Sequence, residues 1–263
     1  MRLRLSVLLA LILIGGACLP TRSETTSHFF FVQITDTHWG TRNGLASTRK
    51  AVEAINELPI KLAFVAHTGD ITADTIGDSN VVNEGLAVMK KLSAPVYYVP
   101  GNHDILKSDA RRTAKLYRQS FGALSTRVEV EGVVCLFFYS EPMSSDLRIG
   151  GYDARSWLNE NLEAAGRKPV LLFQHIPAVH DVHGPGGETA WTDSYSPAWL
   201  RLFEKNPQIK AVVAGHFHRD ELHWVGGTPV YVSSSVADFW GRQPSFRVYE
   251  YNDGRLGYWT VYL

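Results

Sequence analysis

The residues of this chain that could do chemistry fall in five short groups of carboxylate, amide and imidazole side chains. They are Asp36-Thr37-His38, Gly69-Asp70, Gly101-Asn102-His103-Asp104, Gln174-His175 and Gly215-His216-Phe217-His218. Imidazole nitrogens and carboxylate oxygens are good ligands for first-row divalent and trivalent cations. A carboxylate such as Asp70 can reach two ions, which an imidazole cannot, and Asn102 adds a neutral oxygen, so a filled cluster stays net positive toward an anionic substrate. Two cations roughly 3.5–4 Å apart polarise a substrate oxygen and turn a bridging water into hydroxide, which is the chemistry of a hydrolase. His103 suits a group that carries a proton near neutral pH. Single members weigh less, because the chain has 10 histidines and His67, His180, His183 and His223 stand outside the groups. Val99 to Asp104, VPGNHD, is also what an ordinary Pro-Gly turn looks like. On the residues alone, a dinuclear hydrolase, a single-metal binding or structural site, and no metal all remain open.

Each group closes a segment of strand-like pattern. Phe29 to Thr35 is an apolar run that delivers Asp36 and His38. Leu45 to Leu58 has helical spacing and is closed by Pro59. KLAFVAHTGD then predicts a strand ending at Asp70, VVNEGLAVMKKL a helix, and PVYYVPGNHD a strand ending at His103. The second half repeats the event: VVCLFFYS as a strand, ARSWLNENLEAA as a helix, KPVLLFQH as a strand ending at His175, and IKAVVAGHFH as a strand ending at Gly215, His216 and His218. Two hairpins follow, turning at Gly226-Gly227 and at Asp253-Gly254. The carboxyl ends of adjacent parallel strands converge on one site in α/β sheets, so residues 34 and 32 apart (Asp36, Asp70, Asn102) become neighbours. Early βαβ units and late hairpins together predict an α/β fold: two mixed β-sheets packed as a sandwich with flanking helices. Gly69, Gly101 and Gly215 precede ligand or catalytic side chains at sharp exits, where a missing Cβ permits a tight turn and close approach.

Taken in order, Asp36-x-His38, Gly69-Asp70, Gly101-Asn102-His103-Asp104, His175 and Gly215-His216-x-His218 resemble the full signature of the calcineurin-like metallophosphoesterases, from about residue 29 to 219. The resemblance implies that Asp36, His38 and His218 hold one metal, that Asn102, His175 and His216 hold the second, and that Asp70 bridges them. It implies that His103 steadies the phosphoryl group and protonates the leaving oxygen, with Asp104 orienting or polarising His103. The implied cofactor is a pair of divalent or trivalent ions, manganese, iron or zinc. Ala73 stands where purple acid phosphatases have a tyrosine, and the Asp-Arg-Gly run of protein serine/threonine phosphatases is missing. What remains resembles the cyclic-nucleotide-phosphodiesterase-like branch, whose members act on nucleotides, phospholipid-linked esters and simple monoesters. Gln174 replaces a glycine common in relatives and leaves the ligand His175 intact.

Two long Gly/Pro-rich segments flank His175 and suit pocket walls: SEPMSSDLRIGGYDARSW and IPAVHDVHGPGGETAW. In them Arg148 is a candidate to pair with a phosphate and Trp191 to stack on a base or cover an apolar group. His180 and His183 are weaker candidates, and Asp238, Trp240 and Arg242 are candidates for the same rim.

The N-terminus carries a different signal. MRLR, the apolar run LSVLLALILIG and the small residues GGA have the order of a secretory signal, which predicts removal of residues 1–17 and export. The apolar stretch is short for a spanning helix. IGGAC also resembles a bacterial lipoprotein signal ending in a lipidated cysteine, which makes Cys18 a candidate membrane anchor. Residues 18–27 then read as a linker and 28–263 as one phosphoesterase domain. The full chain has 26 basic and 26 acidic residues; removal of Arg2 and Arg4 leaves 24 − 26 = −2. Nothing resembles the concentrated positive surface that binds nucleic-acid polymers, so the expected partner is a small phosphate ester. Location in the periplasm, or at the membrane through Cys18, argues against cytosolic cyclic AMP as that ester. Cys135 reads as a buried apolar residue. The rival class is an exported metal-containing binding protein with the same scaffold and little turnover.

Overall fold

A computed structural model of the protein describes residues 27–179, 197–238 and 241–263. Among these, the chain runs β1 (His28–Ile34), α1 (Gly44–Asn56), β2 (Leu62–His67), α2 (Ser79–Met89), β3 (Val96–Tyr98), α3 (Ala110–Phe121), β4 (Thr126–Val130), β5 (Val133–Phe137), α4 (Glu141–Ser144), α5 (Ala154–Ala165), β6 (Val170–Phe173), α6 (Pro197–Lys205), β7 (Ile209–Ala214), β8 (Glu221–Val225), β9 (Thr228–Val232), β10 (Ser245–Asn252) and β11 (Arg255–Tyr262). One sheet has the order β11-β10-β1-β2-β3 and the other β4-β5-β6-β7-β9-β8. β1, β2 and β3 are parallel to one another, as are β5, β6, β7 and β9, whereas β10, β11, β4 and β8 pair antiparallel. Both sheets are therefore mixed, as the sequence pattern predicts.

The central strands are apolar on successive residues because both faces are covered. Phe31, Phe64, Phe137, Phe173 and Tyr249 fill the space between the sheets, with Phe31 stacked on Tyr249 at 4.9 Å and Phe137 on Phe173 at 4.7 Å between centroids. The alternate residues Val32, Ile34, Val65 and Val248 face outward under Val52 and Ile55 of α1, Met89 of α2 and Tyr117 of α3. On the second sheet, Leu136, Leu172 and Val212 lie under Leu158 of α5 and Phe203 of α6. Polar anchors fix two helix starts: Asp78 accepts from the N–H groups of Asn80 and Val81, and Asp153 from that of Ser156. α3, α4, α6 and β4 lie outside the elements named from sequence; in α3 the apolar faces of Ala114, Tyr117 and Phe121 recur at helical spacing.

With β1, β2, β3, β6 and β7 aligned, their carboxyl tips gather at one end of the sandwich, and β1 begins at the other. Gln33 spans the layers there, donating to Thr68 Oγ1 and to the Ala214 carbonyl at 2.8 Å each. No helix among the described residues is long and apolar enough to cross a membrane. The expected signal segment and Cys18 lie outside the described residues.

Candidate metal centre

The five tips are bonded to one another through their backbones. Asp36 N donates to the Gly69 carbonyl at 2.9 Å, and His38 N to that of Asp70 at 3.0 Å, so the first exit lies along the second. The third exit is drawn in by two carboxylates. His103 N donates to Asp70 Oδ1 at 2.9 Å, while buried Asp104 accepts from the N–H groups of Gly101, Ile71 and Thr72 and from the Thr72 hydroxyl. The fourth and fifth are joined by Gly215 N donating to the His175 carbonyl at 3.1 Å, and the fifth returns to the first through His216 N on Asp36 Oδ2 at 3.1 Å.

Such closeness explains the glycines, each in its own way. Gly69 has a left-handed backbone, φ 95°, and a Cβ there would lie 2.6 Å from His175 Nδ1. Gly101 and Gly215 are not left-handed; their missing Cβ atoms make room for the Asp70 carboxylate and for the Thr35 hydroxyl with Asp36. The tight turning falls on the polar residues themselves: Asp36, His38, Asp70, His216 and His218 all have φ between 42° and 75°. Left-handed backbone is uncommon outside glycine, and clusters of it mark functional sites where the surroundings enforce it.

The side chains converge on two adjoining positions. Asp36, His38, Asp70 and His218 each offer a ligand atom, all four within 4.8 Å of one another, and Asp70, His175 and His216 do the same. Asp70 belongs to both sets: its Oδ2 is 3.1 Å from His175 Nε2 and 3.8 Å from His38 Nε2. His218 Nε2 is 3.0 Å from Asp36 Oδ1 and 3.3 Å from His38 Nε2. On the other side, His175 Nε2 is 3.2 Å from both Asn102 Oδ1 and His216 Nδ1. His175 donates from Nδ1 to the Thr68 carbonyl at 2.8 Å, which leaves Nε2 as the ring atom that faces the other donors and that binds a cation once its proton has left.

Electron-pair donors packed against one another in this way fit a cation between them. The charges agree. Burial would raise the pKa of Asp36, yet His218 and His38 hold it well below the usual carboxylate range. The same contest at Asp70 is decided downward by His175. Burial opposes charge on His175, but Asp70 and Asp36 lift it to about 10, whereas burial and the neighbouring His175 push His216 down to about 3. Two buried carboxylates thus stay ionised among imidazoles, a donor set of mixed oxygen and nitrogen suited to first-row divalent ions.

Residues 31–220 match the calcineurin-like phosphoesterase family, a stretch that contains all five tips. The chain belongs to this family. It is a metal-dependent phosphoesterase with a dinuclear ligand set. Serine/threonine-protein phosphatase CPPED1 of Danio rerio is 26% identical over 246 residues, 82% of this chain and 78% of the relative. The 3',5'-cyclic-nucleotide phosphodiesterase alr5338 of Nostoc is 26% identical over 255 residues, 87% and 89% of the two chains. The crystal structure of a dimetal phosphatase from Danio rerio shares the fold, with a TM-score of 0.59 and 16% identity over 89% of this chain and 98% of that one.

Around this phosphoesterase centre, one expectation needs correction. Asp104 does not touch the His103 ring: its oxygens are taken by the backbone and hydroxyl donors named above, and burial, reinforced by Asp70, raises its pKa to about 6. The ring instead donates from Nδ1 to Asp74 Oδ1 at 2.9 Å, and its Nε2 lies 4.0 Å from Asp70 Oδ2. Asp74 was not singled out from sequence; its left-handed φ of 60° gives the turn that aims it. Arg148 is exposed and is not among the converging side chains. Its Nη1 donates to the Leu147 carbonyl, and it lines a cavity of about 500 Å³ with Met143, Leu147, Tyr152 and Arg155. Arg242 donates to the His218 carbonyl at 3.2 Å, beside the fifth tip. Asp238 lines a separate hollow with Asn43 and Lys50. Trp191, His180, His183 and Trp240 lie outside the described residues.

Proposed function

We propose that this phosphoesterase hydrolyses small phosphate esters, diesters or monoesters, and does so outside the cytoplasm. The observation that carries the reading is the position of Asp70, one buried carboxylate within 4 Å of imidazoles from both ligand sets. Asp36, His38 and His218 would hold one ion, and Asn102, His175 and His216 the other, with Asp70 common to both. Two bound ions, of manganese, iron or zinc, would supply Lewis acidity toward the phosphoryl oxygens and a nucleophile from water.

The chain's own residues do the rest. Asp70 Oδ1 holds the backbone of His103, and Asp74 holds its Nδ1, so Nε2 is left on the side of the centre. From there His103 steadies the phosphoryl group and gives a proton to the departing oxygen. The signal-like residues 1–17 support export, and Cys18 supports a lipid tether in a bacterium, with residues 28–263 as the phosphoesterase domain. A formal charge of zero over the whole chain supports small esters over nucleic-acid polymers.

Hydrolysis of p-nitrophenyl phosphate and bis-p-nitrophenyl phosphate by protein loaded with manganese, iron or zinc tests the reading. Activity lost in His103→Ala with metal retained supports it; inactivity with every metal favours the binding-protein alternative. The name of the zebrafish relative favours a second reading, a phosphoprotein phosphatase, and faster turnover of a phosphoserine peptide than of either chromogen would select it. Mass spectrometry of the mature N-terminus separates plain cleavage after Ala17 from lipidation of Cys18.

A further inference from the structure

β5 lies beside β6, the strand whose tip supplies His175. The two exits advance together, with Phe138 N donating to the Phe173 carbonyl at 2.8 Å. Two residues after Phe173 comes His175, and three after Phe138 comes Glu141, at the start of α4. The charged groups that act on the Glu141 carboxyl are His175 foremost, then Asp70, Lys107 and His103, which are the groups of the phosphoesterase centre and the chain just beyond its third tip. Lys107 is paired with Asp146 at 2.5 Å. Oxygen Oε2 of Glu141 is buried and accepts no hydrogen bond.

A buried acceptor without a donor is costly, and native structures retain one chiefly where a ligand or water supplies the partner. Here the partner has a definable chemistry. The unpaired accepting oxygen finds no donor among the anionic oxygens of a phosphoryl group, and an ionised carboxylate repels them. A donor on the organic side of the ester, by contrast, would satisfy it. We propose that Glu141 is a specificity-determining residue, accepting a hydrogen bond from a hydroxyl or ammonium group on the alcohol portion of the substrate. The preferred substrates are then phosphate esters of polyols and amino alcohols, rather than esters of bare alkyl or aryl alcohols. This rests on the small-ester reading above and narrows it.

The test separates the two. Binding of glycerol 3-phosphate, phosphoethanolamine and inorganic phosphate to the metal-loaded full chain is measured by calorimetry for wild type, Glu141→Leu and Glu141→Gln. A site built to bond a polar group discriminates strongly against its loss, so Glu141→Leu is expected to weaken at least one of the two organic ligands about tenfold, while inorganic phosphate changes less than about twofold. At pH 8, where Glu141 is ionised, Glu141→Gln keeps an accepting oxygen and loses the charge, so glycerol 3-phosphate is retained and phosphoethanolamine is weakened; this variant carries the test if the leucine variant does not fold. Equal weakening of all three ligands, or of none, overturns the assignment. These affinities do not depend on turnover, so inactivity of wild type toward the chromogenic esters would strike the hydrolytic reading and leave the Glu141 result to be judged by itself.

Discussion

Changing Asp74 to Asn isolates what one carboxylate contributes to His103. Asn tolerates left-handed backbone as Asp does, so φ 60° at this position is not disturbed. Only the charge facing Nδ1 at 2.9 Å is lost. Both side chains are open to water, His103 by 42% and Asp74 by 59%, so solvent screens the pair. Exposed ion pairs contribute about 0.2–1 kcal/mol, which corresponds to a rate about 1.4–5-fold lower. Removing the proton carrier itself, in His103→Ala, is expected to cost about 10²–10⁴-fold. The contrast is largest with an alkyl ester, whose alkoxide needs the proton, and smallest with a p-nitrophenyl ester, whose leaving group departs readily as an anion. Initial rates on both ester types, at matched metal content, are the assay. A loss in Asp74→Asn as deep as that of His103→Ala, or an alkyl-ester rate that does not change, refutes the reasoning.

Gly101→Ala drives a Cβ into the Asp70 carboxylate; overpacking of this kind costs about 1–3 kcal/mol, and thermal melting together with elemental analysis should show a lower Tm and incomplete metal loading. Metal uptake should release protons, because His175 is lifted to about 10 and must lose its proton to bind; titration calorimetry in buffers of different ionisation enthalpy reads this, and no release at pH 8 contradicts it. In metal-free protein the same raised pKa stabilises the fold fully below about 6.5, an advantage lost as pH rises through about 10. Burial foremost raises Glu141 to about 7 from about 4.5, so its stabilising contribution is whole below 4.5 and lost as pH climbs to 7. Glu141→Gln, which cannot ionise, should therefore gain Tm relative to wild type between pH 5 and 8, and a constant difference would argue against the burial cause.

The strand tips were legible because strands covered on both faces write themselves as unbroken apolar runs, and each run stops at its polar cargo. Val170 to Phe173 ahead of His175 is of this kind, and Phe29 to Ile34 ahead of Asp36 departs from it at Gln33 alone. The mixed sheets followed from crossover helices early and glycine hairpins late. The partner of His103 was not legible. Asp104 is its neighbour in sequence, but in a tight exit consecutive side chains diverge: Asp104 turns inward onto Gly101, Ile71 and Thr72, and His103 outward. Asp74 reaches the ring only because its own backbone is left-handed, which no residue pattern announces. The same limit applies to the ligand residues, where the turning was expected of glycines and is taken by Asp36, His38, Asp70, His216 and His218. Glu141 was hidden for another reason: a lone acid after a strand has no spacing to mark it, and only the side-by-side advance of β5 and β6 brings it near His175.

β1 enters the first sheet at His28 and leaves toward Asp36 seven residues of extended chain later, a span of about 23 Å at ~3.3 Å per residue. Whatever precedes Ser27, whether a fusion partner, an affinity handle or a surface to which the protein is coupled, is therefore joined at the pole remote from the reaction. Immobilised by that end, the catalyst would carry its metal-binding tips on the side turned away from the support.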